Sequence, residues 1–217
     1  MKTSFLKILA VVALISFESC GDKAKEAATT AEEEAAVAEV TAVTYKANTD
    51  KSMIEWTGFK PTGSHSGTIA IKEGKLSLTN NAIESGRFTI EMGSIAVTDI
   101  PTEDEGNAKL SGHLKGADFF DVAAYPNANF EVTGIKTEDD KTMLSGNLTM
   151  KDVTNNISFP VNTEMKDGML TLTSDTFTID RSKWNVKHGS KSFFDNLGDK
   201  FINDDMELKV TLVASKA

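Results

Sequence analysis

From Tyr45 onward the apolar residues recur at every second position, and this period limits the fold more than any other feature of the chain. In SGRFTIEMG, Phe88, Ile90 and Met92 share one face, with Arg87, Thr89 and Glu91 opposite. The same alternation groups Phe130 with Val132, Leu144 with Leu148 and Met150, and Ile157 with Phe159 and Val161. It continues through Phe177 and Ile179, then through Met206, Leu208, Val210 and Leu212. Strands with one buried and one wet face produce such a period, whereas a helix buries every third or fourth residue. Glu73-Gly74 and Asp167-Gly168 read as hairpin dipeptides, and Thr137 to Lys141 as a polar turn.

These runs amount to roughly eight or nine antiparallel strands between residues 45 and 215. The implied class is all-β, solved either as a closed barrel or as a sandwich. The strand from Asp204 to Ser215 needs a partner on both edges. A strand near Ser52 to Phe59 would supply one and close the sheet. Only two stretches, about 103–128 and 182–202, lose the rhythm, and short helix or irregular loop is expected in both.

The N-terminus is of a different kind. In MKTSFLKILAVVALISFESC, Lys2 and Lys7 precede an apolar run from Ile8 to Ile15, and small residues follow before Cys20. Residues 1–19 thus read as a secretory signal peptide. Cys20 is the only cysteine, so no disulfide forms within the chain. Its place at the cleavage point, followed by Gly21, resembles the lipobox of bacterial lipoproteins, in which the sulfur and the new N-terminus are acylated. That resemblance makes Cys20 the lipidation site. It implies an exported protein, membrane-anchored through its acyl chains and facing the periplasm or the cell surface. The other reading is an ordinary signal peptide with an incidental cysteine. Residues 20–44 read as the lipidated N-terminus and an Ala/Glu-rich tether, solvated and partly helical, before a domain spanning 45–217. The net charge of -9 argues against nucleic acid as a partner.

Phe-Phe-Asp occurs twice where the strand rhythm fails, at Phe119, Phe120 and Asp121 and at Phe193, Phe194 and Asp195. Burying one Phe stabilises by roughly 1.5–3 kcal/mol, so both loops are expected to fold over an apolar opening as lids. The rings then either close a filled core or border a cavity for a long apolar ligand. Arg181 follows Phe177 and Ile179 on the inward period. It is expected to pair with Asp121 or Asp195 and lock a lid, or to bind a ligand head group.

Catalytic signatures are missing from the sequence. The three histidines, His65, His113 and His188, lack metal-ligand spacing, and GSHSG is not a nucleophile elbow. No catalytic residue, metal ligand or cofactor is assigned, and the chain is not expected to be an enzyme.

HLKGADFFDVAAYPNANFEVTGI followed by LSGNLTMKDVTNNISFPV resembles the signature of the YceI-like family. The match runs through His113, Leu114, Lys115, Asp118, Phe119, Phe120 and Asp121, then Tyr125, Pro126 and Phe130. It continues with Gly146, Leu148, Thr149, Lys151, Val153 and Thr154, while Asp152 stands where the family usually has Gly. The stretch FTIDRSKWNV is also similar to a family segment. The resemblance covers about 45 to 215 and implies a lipocalin-like antiparallel barrel of about eight strands with short helical or loop insertions. Members are exported, and several hold a polyisoprenoid or another long-chain lipid in the barrel, which implies a non-catalytic carrier or store. On that reading Phe88, Ile90, Phe130, Phe159 and Phe177 line the ligand space, with Trp184, Phe193 and Phe194 near one end. His113, Phe119, Phe120, Asp121 and Arg181 are lid or structural residues. Gly146, between Leu144 and Leu148, is the small inward position where a larger side chain would fill a void. The alternative is a filled barrel acting as an envelope structural or interaction protein with no ligand. The oligomeric state stays open, a dimer included.

The anchoring expectation has a direct test. Cys20→Ala should give a soluble or uncleaved form in detergent partitioning; a processed, lipid-modified alanine variant would contradict it.

Overall fold

The computed structural model describes residues 24–217. The signal segment and Cys20 lie outside the described residues. The first strands are β1 (Lys25–Glu26), β2 (Ala28–Ala31), β3 (Val43–Ala47) and β4 (Met53–Lys60). They are followed by β5 (Gly63–Thr79), β6 (Ala82–Glu91) and β7 (Ala96–Val97). Helix α1 (Glu105–Lys115) leads to β8 (Asn127–Glu138), β9 (Lys141–Met150) and β10 (Val153–Lys166). The chain ends with β11 (Met169–Ser174), β12 (Phe177–Asp180) and β13 (Asp205–Lys216).

Eight strands form a closed ring. Going round, β4, β5, β6, β8, β9, β10, β11 and β13 pair antiparallel with their neighbours. The ring shuts where β13 meets β4, with Val210 opposite Ile54 and Leu208 opposite Trp56. This is the closure expected from the alternation of the first and last barrel strands. It leaves neither strand an open edge along that seam.

Several connections between ring strands are two-residue turns with positive φ at both central positions: Asn80-Asn81, Asp139-Asp140, Lys151-Asp152 and Asp167-Gly168. Such turns match the right-handed twist of the strands they join, and Asn or Asp tolerates the left-handed region better than most residues. Asp152 sits at φ 58, in the left-handed region where Gly is free of strain. Glu73-Gly74, in contrast, is not a turn. Strand β5 runs through it, with a register shift against β6 between Ile71 and Glu73. Gly74 is needed for another reason: a Cβ there would sit 2.1 Å from Cδ1 of Phe88, so its absence lets that ring lie on the backbone.

The Ala/Glu-rich segment departs most from expectation. It is extended from Lys25 and packed along the barrel. Strand β10 pairs with β11 only from Val161 to Lys166, and β12 pairs with β13, which leaves backbone edges near Asn155–Ser158 and Phe177–Thr178. Strand β2 takes the first edge and β1 the second, bridged by the buried Ala27. Further along, the Glu33 amide donates to Oδ1 of Asn147 at 3.0 Å, and Nδ2 of Asn147 donates to the Glu33 carbonyl at 2.6 Å. Asn156 donates to the same Oδ1 at 3.0 Å. Helix propensity favours Ala and Glu by only tenths of a kcal/mol per residue, and unpaired strand edges outweigh it.

Asn147→Ala should release this strap. Loss of its paired bonds is expected to cost about 1–3 kcal/mol in denaturant unfolding and to speed amide exchange at Glu33 and Ala27. Unchanged exchange at both amides would show that Asn147 does not hold the strap.

Candidate ligand-binding site

The inward faces of the ring enclose two cavities. The inner one, about 80 Å³, is lined only by apolar side chains, among them Phe88, Ile90, Phe130, Phe159 and Phe177. The period of two had placed all five inside, and the fold brings them together. Phe159 stacks on Phe177 with ring centroids 4.2 Å apart, and Phe130 tilts against Phe159 at 5.9 Å. Gly146 does not open onto a void. A Cβ there would lie 2.2 Å from Cζ of Phe130, because the ring occupies that space.

The outer cavity is about 200 Å³. It stacks on the inner one: Ile54, Ile71 and Leu208 line the inner cavity, and Trp56, Ile69 and Met206 line the outer. These are successive inward positions of β4, β5 and β13, about 7 Å apart along each strand. Its wall also carries polar groups, from Lys60, His65, His113, Arg181 and Asn203. Trp56 is buried, and its indole N–H has no hydrogen-bond partner among the described residues. His65 Nδ1 lies 2.8 Å from Asp99. Burial disfavours the Asp99 carboxylate, but the Ser66 amide and His65 outweigh it and hold its pKa below the ordinary value.

The first Phe-Phe-Asp loop covers this end of the bore. Asp104 caps α1 by accepting from the Gly106 amide, and the helix stops at Gly116. The chain then turns back: the Phe120 amide bonds to the Leu114 carbonyl and the Asp121 amide to the Gly116 carbonyl. Asp121 sits at φ 49, and its own carbonyl accepts from Tyr125. This folding buries Phe119 and Phe120 to 4% and 5% exposure, and both line the outer cavity. Lys151, in the β9–β10 turn, donates to the Phe119 carbonyl at 2.7 Å, so two distant parts of the family-like pattern meet here.

The second Phe-Phe-Asp loop is not a lid. Phe193 and Phe194 are 46% and 50% exposed, and neither lines a cavity described above. Their amides both bond to the Ser190 carbonyl, a turn that directs them outward, and Lys187 lies 4.8 Å over the Phe193 ring. Trp184 is fully buried but belongs to the packed core, with its indole N–H donating to the Leu148 carbonyl at 2.8 Å.

Arg181 is fully buried, as its inward position required, but its partners differ from those expected. Neither Asp121 nor Asp195 meets it. Its guanidinium donates to the carbonyls of Val186, His188, Ile202 and Asn203 and lies 3.3 Å from the Asp204 carboxylate. It also stands 5.2 Å from the Phe119 ring centroid. Burial pushes its pKa down, against the favourable charges of Asp204 and Asp180. Arg181 therefore clamps two loop segments beneath the lid. The fold also gathers His113, Asp118 and His188, a grouping that sequence spacing did not reveal.

Comparisons with known proteins agree with this architecture. The family model for the YceI-like domain matches residues 45–214. A UPF0312 protein of Pseudomonas putida is 31% identical over 104 residues, 46% of this chain and 51% of its own length. A protein YceI of Salmonella arizonae is 40% identical over 63 residues, 29% of this chain and 31% of that protein. The chain thus spans about half the length or less of these curated relatives. Among solved structures, Burkholderia cenocepacia BcnA aligns with a TM-score of 0.61 at 23% identity, covering 78% of this chain and 99% of the other. A polyisoprenoid binding domain from Saccharophagus degradans, implicated in plant cell wall breakdown, aligns at 0.60 and 13% identity, over 81% and 99% of the two chains. At these identities the two structures share the fold.

The two Phe-Phe-Asp loops should respond differently to truncation. Phe119→Ala is expected to cost about 3–5 kcal/mol as a buried ring. Phe193→Ala should stay within about 0.5 kcal/mol. Equal melting temperatures for the two variants would contradict the assignment of one lid.

Proposed function

The chain belongs to the YceI-like family, and from that premise we propose that its barrel binds a polyisoprenoid or similar long-chain lipid, as a carrier or store and without catalysis. The observation that carries the proposal is the stacking of a wholly apolar inner cavity on an outer cavity whose wall includes polar and cationic groups. A tail directed inward would meet only hydrocarbon and aromatic surface. A head group would find Lys60, His65 and the unpartnered indole N–H of Trp56 on the outer wall. Each buried methylene contributes about 0.8 kcal/mol, offset in part by immobilising the chain. One solved neighbour is a polyisoprenoid binding domain, and the ligand proposed here is of that kind.

The inner cavity of about 80 Å³ is small for such a tail. A cavity of about 150 Å³ holds benzene. Entry of a long chain therefore requires ring movement, and the Phe88 and Phe130 rings, which rest on Gly74 and Gly146, are in its path. The same volume favours the second reading, a filled barrel that serves as an envelope structural or interaction protein.

Lipidation at Cys20 and an envelope location, facing the periplasm or the cell surface, belong to the same proposal. Because the strap docks from Lys25, five residue steps separate it from Cys20, a reach of about 17 Å. An anchored barrel would then rest close to the bilayer, where a lipid can pass between membrane and bore.

Native mass spectrometry of gently extracted protein is expected to show a lipid adduct. Val210→Phe, which enlarges a side chain on the inner cavity, should remove the adduct from a still-folded protein. No adduct in either form, with a destabilisation of about 1–3 kcal/mol from overpacking, would favour the filled barrel.

A further inference from the structure

We propose that His113, Asp118 and His188 form a binding site for a zinc-class divalent metal ion at the rim of the outer cavity. The three residues each offer one ligand atom, and these atoms lie within 4.8 Å of one another. Both imidazoles turn Nδ1 toward the same carboxylate oxygen: Oδ2 of Asp118 is 3.6 Å from His113 and 3.1 Å from His188. A tetrahedral ion with bonds of about 2.0–2.1 Å holds its donors roughly 3.3 Å apart, so the two separations to Asp118 bracket the requirement. Two imidazoles and one carboxylate are a borderline donor set. It suits zinc and its first-row neighbours better than calcium or magnesium, which take oxygen ligands.

The backbone around the cluster is held before any ion arrives. His113 lies in the last turn of α1, and its carbonyl accepts from the Gly116 amide at 3.0 Å, which fixes the turn that carries Asp118. The His188 carbonyl is bound by Arg181 at 2.9 Å. The His113 and His188 rings meet edge to face at 4.6 Å, and the buried Phe119 ring packs against both. The three side chains remain 35%, 53% and 41% exposed in chain order, which leaves solvent access for the fourth coordination position. His113 also lines the outer cavity, so an ion held here would sit at its edge. His65 is engaged with Asp99 and is not a ligand in this set. The site does not depend on a lipid being bound.

The full chain, stripped with chelator, should take up one equivalent of Zn²⁺ in calorimetric titration. Co²⁺ in its place should give the visible absorption of a low-coordinate site with nitrogen and oxygen ligands. His113→Ala, Asp118→Asn and His188→Ala should each weaken zinc affinity by roughly tenfold or more, while His65→Ala leaves it unchanged. Circular dichroism of each variant confirms that the barrel persists. Because the cobalt spectrum is read on the unaltered chain, a variant that fails to fold leaves that arm intact. Absence of stoichiometric zinc uptake by the unaltered chain would overturn the site, as would uptake that survives all three substitutions in folded protein.

Discussion

Closure of the sheet is the constraint from which the rest of the structure follows. A strand carries a row of backbone donors and acceptors on each edge, and an unpaired row is costly and prone to pair with other chains. Pairing of β13 with β4 turns an open sheet into a ring, and only then do the alternate residues of eight strands face a common interior. Where β10 runs on beyond its pairing with β11, and along the free edge of β12, the same constraint recruits the N-terminal segment as β2 and β1. Asn147 and Asn156 are buried beneath that strap; the Glu33 backbone bonds both ends of the Asn147 amide, and Asn156 donates to Asn147 and Thr133. The strap is thus part of the barrel wall and not a spacer.

The interior inherits its shape from two glycines as much as from its aromatic residues. Phe88 lies on Gly74 and Phe130 on Gly146, contacts too close for any Cβ. These rings narrow the inner cavity, while the lid built on Phe119 and Phe120 closes the outer one. Beneath the lid, Arg181 ties the segments 186–188 and 202–204 together through four backbone carbonyls and Asp204, and its guanidinium stands 5.2 Å from the Phe119 ring centroid. Apolar depth and a rim of polar groups result, which is the division of labour expected of a site for a long amphiphile.

Much of this was legible in the alternation. The period of two located the inward residues Phe88, Ile90, Phe130, Phe159 and Phe177 and the strands that close the ring, because side-chain direction in a strand is a local property. What escaped the sequence depends on tertiary neighbours. Ala and Glu in residues 25–36 favour helix locally, and only an unfilled sheet edge explains their extended form. Glu73-Gly74 has turn chemistry, yet the demand there is contact with Phe88. The two Phe-Phe-Asp segments are identical as tripeptides. They separate because the first folds back on Leu114 and Gly116, while the second turns outward on Ser190. Arg181 announced burial but not Asp204, and no spacing signalled that His188 would meet His113 and Asp118.

The central claim is that a long apolar chain occupies the bore by entering past the lid. Methyl-detected NMR during titration with a long-chain isoprenoid lipid tests it most directly. The account predicts shifts at Ile69 in the outer cavity and at Ile71 and Leu208 in the inner one, together with changes in the resonances of the Phe88 and Phe130 rings. Shifts confined to exposed methyls such as Met53 and Met169, with the interior signals unchanged at saturation, would contradict it.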